Sequence, residues 1–184
     1  MMLMHENRHS DRRRLFAVAG VDCRITRYAW LSGPVFLLLG VLIALVRHAD
    51  LPLEAALIRG GIYGLLLYLS NVFHSIGHVL AGKMVGSPGG SILVTATFHV
   101  NSHVCDPSIC ARWTHIGRSA GGPAATLLLG CLALILHGGP GPEWLSFLGM
   151  ANVVVGVWLL LPIPRFDGWV IWGELLGFRR RSPE

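Results

Sequence analysis

Four stretches almost free of charge constrain what this chain can fold into: Tyr28 to Val46, Leu53 to Leu80, Ala120 to Leu136, and Trp144 to Leu161 with an apolar continuation to Leu176. About 20 apolar residues cross the ~30 Å hydrocarbon layer as a helix, and each run is that long or nearly so. With 53% hydrophobic and 14% charged residues, the chain is too apolar for an ordinary soluble globule, and 184 residues fit one domain. The fold class expected is an all-α membrane protein, a multi-pass bundle of four spans.

Charge sets the expected orientation. Six arginines precede the first span (Arg8, Arg12, Arg13, Arg14, Arg24, Arg27) and three follow the last (Arg179, Arg180, Arg181). Lys83, Arg112 and Arg118 lie between the second and third spans, whereas the other two loops offer Arg47 beside Asp50, Glu54 and Glu143. This is the positive-inside pattern for both termini in the cytoplasm. The net charge of +5 is therefore a topology signal, with membrane lipids as a secondary partner and no nucleic acid. Residues 1–27 are expected to be a basic, mobile cytoplasmic tail, residues 28–177 the membrane domain, and residues 178–184 a second basic cytoplasmic tail. The first span is long enough to stay in the membrane as the targeting signal. Cys131 falls in a span and Cys23, Cys105 and Cys110 on the cytoplasmic side, so all four are expected reduced.

Two segments carry chemistry. In Phe73-His74-Ser75-Ile76-Gly77-His78, two imidazoles four residues apart share one helix face and can close on a single metal ion. Spacing alone is weak, since His5/His9 and His99/His103 repeat it. What distinguishes His74 and His78 is their place inside an apolar run, where polar groups are costly. At ~1.5 Å per residue they fall in the inner half of the bilayer. The second segment, Leu160-Leu161-Pro162-Ile163-Pro164-Arg165-Phe166-Asp167-Gly168, breaks a helix at membrane depth and exposes a carboxylate that can turn inward. Taken alone, it reads more readily as an interfacial turn with Asp167 paired to Arg165 and Trp169 and Trp172 at the headgroups.

Between them, Gly86 to Gly90 is a turn signal, and Ser91 to Val100 is rich in β-branched residues and predicts a strand, half of a hairpin. His99, His103, Cys105, Cys110 and His115 crowd the same region, and their spacing matches no zinc-finger pattern. The third span opens with Gly121-Gly122-Pro123-Ala124-Ala125-Thr126, small residues suited to close helix packing.

Together these segments resemble the site-2 proteases, the intramembrane zinc metalloproteases. His74 to Ala81 resembles the family's His-Glu-x-Gly-His helix, Gly122-Pro123 its Gly-Pro helix with Thr126 where Asn is usual, and Leu160 to Gly168 its Leu-Leu-Pro-Ile-Pro-x-x-Asp-Gly segment, with Leu159 where an Asn often stands. The resemblance covers about residues 65–177, with a β and loop insert at 87–117. It implies a bundle with a small cytoplasmic β element that can pair with an unwound substrate, zinc as cofactor, and His74, His78 and Asp167 as the metal ligands. It also puts Ser75 at the position of the catalytic general base, a Glu in the family. A hydroxyl cannot hold and release a proton near neutral pH as a tuned carboxylate does.

Two functions follow as expectations. One is a site-2 protease-like membrane metalloprotease, weakly active or inactive for want of the base. The other is a non-proteolytic zinc-binding protein that recognises transmembrane helices. Either takes a transmembrane or membrane-associated protein as substrate or client, in the plasma membrane of a prokaryote. A di-iron hydroxylase would need more histidine ligands than the spans provide.

Overall fold

The computed structural model describes residues 13–18, 20–26, 28–86, 89–94, 99–103 and 111–177. The expected termini at 1–12 and 178–184, with His5 and His9, lie outside them, as do Cys105 and Cys110.

Among the described residues, five helices form the body. After a 3-10 turn at Ala29–Leu31 come α1 (Ser32–Arg47) and α2 (Leu53–Met84), then α3 (Arg112–His137), α4 (Glu143–Leu159) and α5 (Asp167–Leu176). Pro52 and Pro142 stand as N-caps of α2 and α4, and the left-handed residues Gly138 and Gly177 end α3 and α5. Helix α2 packs along α1 on one side and α3 on the other, and α3 contacts α4 and α5. Glycine lets the first pair approach: a Cβ on Gly40 would overlap the backbone of Gly60 and Gly64. The neighbouring Gly61 has open space beside it and takes no part in that contact.

Among the described residues, three helical segments are long and apolar enough to cross a membrane: Ala29–Arg47, Leu53–Met84 and Arg112–His137. Leu38, Ile58, Leu128 and Ile135 lie exposed along them, as suits lipid contact and not water. The chain is an integral membrane protein. Helix α4, expected as a fourth span, has 17 residues, about 25 Å at the usual rise. It stops where Pro162 and Pro164 forbid continuation.

A four-stranded sheet caps one end of α2. Its strands are β1 (Arg13–Val18), β2 (Val21–Ile25), β3 (Gly89–Val94) and β4 (His99–His103), in the order β1-β2-β3-β4. The outer pairs are antiparallel and β2 runs parallel to β3. The stretch 91–100, expected as one strand of a hairpin, contributes to both β3 and β4, which pair antiparallel with each other. The larger correction concerns residues 13–25, expected as tail and found as a hairpin. Its charge hides a two-residue period: Val21 and Cys23 are buried against Val79 of α2.

At the opposite end of α2, a polar cluster ties three helices together. Glu143 of α4 accepts hydrogen bonds from Tyr63 Oη at 2.6 Å and His48 Nε2 at 2.7 Å, and pairs with Arg59 of α2. Tyr63 also stacks on Phe147 with ring centroids 3.8 Å apart. Arg59 keeps 41% of its side chain exposed while it pairs with Glu143. Glu143→Gln keeps the size of the side chain but removes the charge that pairs with Arg59, and should lower thermal stability in detergent by on the order of 1 kcal/mol.

Candidate metal centre

Helix α2 brings His74 and His78 to the face that meets α3, and the Pro-x-Pro break brings Asp167 to the same point. Helix α4 ends at Leu159, the chain turns through Ile163 and Phe166, and α5 starts at Asp167 itself. A carboxylate in a first helical turn is favoured by the helix dipole. Gly168 is needed beside it, because a Cβ there would overlap the carbonyl oxygens of Leu160 and Leu161. Trp172 Nε1 donates to the Leu160 carbonyl at 2.9 Å, which pins α5 against the end of α4. Asp167 reaches the histidines: Oδ2 lies 3.5 Å from His74 Nε2 and Oδ1 3.4 Å from His78 Nε2. The expected Asp167–Arg165 pair of an interfacial turn does not form.

Arg165 has φ 79° and is the only non-glycine residue with positive φ among the described residues. An L-residue there costs about 1–2 kcal/mol, part of which a glycine would return as greater freedom when unfolded. Arg165→Gly should raise stability by up to about 1 kcal/mol, read from thermal unfolding in detergent, with the metal site unchanged.

The two Nε2 atoms stand 3.0 Å apart, and the donor atoms of His74, His78 and Asp167 all lie within 4.8 Å of one another. Helix α3 supplies the wall behind them. His78 Nδ1 is 2.8 Å from the backbone carbonyl of Arg118. A carbonyl only accepts, so Nδ1 carries the proton and Nε2 presents a lone pair to the centre. His74 Nδ1 lies 3.0 Å from Thr126 Oγ1. Between these two anchors, Gly122 meets the imidazoles directly: a Cβ there would overlap His78 Nε2 and the His74 ring. Below them, Gly77 and Gly121 let the α2 and α3 backbones touch.

This donor set fits zinc. Two neutral imidazole nitrogens and one carboxylate form a three-ligand set of the kind that leaves a fourth position open. An anion and a nitrogen lone pair converging in an apolar bundle also call for a cation. Among the described residues it is the one cluster able to hold a metal.

Ser75 sits beside the centre and is buried, 3% exposed. Its hydroxyl donates to the Asn71 carbonyl at 3.1 Å. The expected loop cluster divides. His115 is buried in the first turns of α3, with Nδ1 3.2 Å from the Arg118 guanidinium. His99 and His103 belong to β4, their side chains lying with Cys105 and Cys110 outside what the structure describes. Glu174 lies in α5, and the metal cluster does not include it. Sequence reasoning missed the roles of Arg118, Gly122 and Thr126 at the site. Their i, i+4, i+8 spacing was the available signal, since it makes one helix stripe that can face His74 and His78.

No protein-family model and no curated protein matches the chain. Among solved structures, it is similar to the site-2 protease from Methanocaldococcus jannaschii, with a TM-score of 0.62 and 20% sequence identity over 92% of this chain and 73% of that one. At that identity the likeness concerns the fold: the chain has the architecture of a site-2 protease.

Proposed function

We propose that the protein is a site-2 protease-like membrane zinc protein whose ligands are His74, His78 and Asp167, with little or no proteolytic activity because Ser75 stands in the general base's place. The observation that carries this reading is the convergence of the three donors, with the Nδ1 of His78 anchored on α3 so that its Nε2 faces the centre. Bound there, zinc would supply a Lewis acid and lower the pKa of a coordinated water. The chain's own residues bind and orient: α3 holds the rings, and the α4–α5 break delivers the carboxylate. What they lack at position 75 is a group to carry the proton.

The lack of a carboxylate at position 75 supports a second reading, a non-proteolytic protein that keeps the zinc fold and recognises transmembrane helices or membrane-associated clients. Under both readings the fourth span is α4 with its apolar continuation, both termini and the sheet face the cytoplasm, and the membrane is the plasma membrane of a prokaryote.

The test is the metal content of the purified protein. About one zinc per chain after dialysis is expected for a closed three-ligand set. A metal-replete protein that carries none would overturn both readings. Cleavage of labelled transmembrane peptides in proteoliposomes then separates a weak protease from a binding protein.

A further inference from the structure

The two histidines are held differently, and the difference falls on Thr126. His78 leans on a backbone carbonyl, which no substitution removes. His74 leans on one side chain, that of Thr126, which is 2% exposed. Its Oγ1 is 3.0 Å from the Gly122 carbonyl and 3.0 Å from His74 Nδ1. A threonine hydroxyl has one proton, and the Gly122 carbonyl can only accept. With that proton spent on Gly122, Oγ1 faces His74 with a lone pair, and Nδ1 must bring the hydrogen.

His74 has an alternative. Its Nε2 lies 3.0 Å from His78 Nε2, so a proton on Nε2 could bridge the rings and leave no lone pair for a metal. Which tautomer forms decides whether there are three ligands or two. We propose that Thr126 is the positioning residue that fixes His74 as the Nδ1–H tautomer and so completes the metal site, a proposal that rests on the zinc reading above. Back-bonding to the i−4 carbonyl is a common habit of buried threonines and accounts for the Gly122 contact. It does not account for the imidazole placed on the far side of the same oxygen. Outer partners of metal-bound histidines commonly set ring orientation and tautomer in this way. Here the partner is a neutral hydroxyl, so it orients the ring without adding charge to the membrane interior.

The test compares the full-length protein with Thr126→Val, which keeps the shape and removes the acceptor, and Thr126→Ser, which restores it. Zinc affinity is read by chelator competition, and the ligand field by the visible spectrum of the Co2+-loaded protein. Thr126→Val is expected to bind zinc about 10- to 100-fold more weakly and to show an altered cobalt spectrum, while Thr126→Ser follows the unmodified protein in both. A Thr126→Val protein with unchanged affinity and spectrum would overturn the proposal, and so would a Thr126→Ser protein as impaired as Thr126→Val, since packing would then be the cause. Absence of zinc from the unmodified protein would sink the centre itself, an outcome distinct from either.

Discussion

Asp167→Ala should leave the purified protein without zinc after dialysis, and His74→Ala should do the same. Removing the carboxylate takes away the one negative charge of the set and leaves two nitrogen donors 3.0 Å apart in an apolar bundle. Two ligands do not close a zinc site, and the loss should exceed the ~10- to 100-fold typical of an outer partner. Glu54→Ala is the matched control, an exposed carboxylate at the far end of α2. It should retain about one zinc per chain. If the Asp167→Ala protein holds zinc as the control does, Asp167 is not a ligand and the α4–α5 break has another purpose.

Ser75→Glu should convert the site towards hydrolysis. A positioned general base contributes typically 100- to 10,000-fold, and a turnover gain of about that order is expected for labelled transmembrane peptides. Position 75 is buried and flanks the His74 and His78 face, so the longer side chain must leave the Asn71 carbonyl and turn towards the metal. Ser75→Gln separates chemistry from size, being as long and equally able to hydrogen-bond but unable to take up a proton at neutral pH. Equal rates for the Glu and Gln variants would show that position 75 does not reach the reacting atoms.

How far the sequence reveals these features differs by element, for physical reasons. Helices α1 to α3 are legible because lipid imposes length and apolarity on any segment that crosses it. His74, His78 and Asp167 are legible as candidates because polar groups in apolar runs are few, and the fold brings their donor atoms within 4.8 Å of one another. The hairpin of β1 and β2 escapes because its arginines dominate the composition, and because β2 finds its partner in β3, far along the chain. Pairings of that kind leave no local trace. Thr126 escapes for another reason. Threonine on an apolar helix is unremarkable until the ring it faces is known, so its position carries the information and its identity does not.

The parallel pairing of β2 with β3 also constrains biosynthesis. Strand β2 is made before α1, and β3 after α2, yet the two lie side by side from Asp22↔Ser91 to Ile25↔Val94. The polypeptide between them must leave one face of the bilayer and return to it, so the number of crossings it makes is even. A ribosome-bound chain therefore cannot complete the sheet until both helices have been inserted as a hairpin. A nascent chain in which α1 alone had entered the bilayer would strand β2 and β3 on opposite faces. The sheet is thus a record of correct insertion, closed once the first two crossings have been made in the right sense.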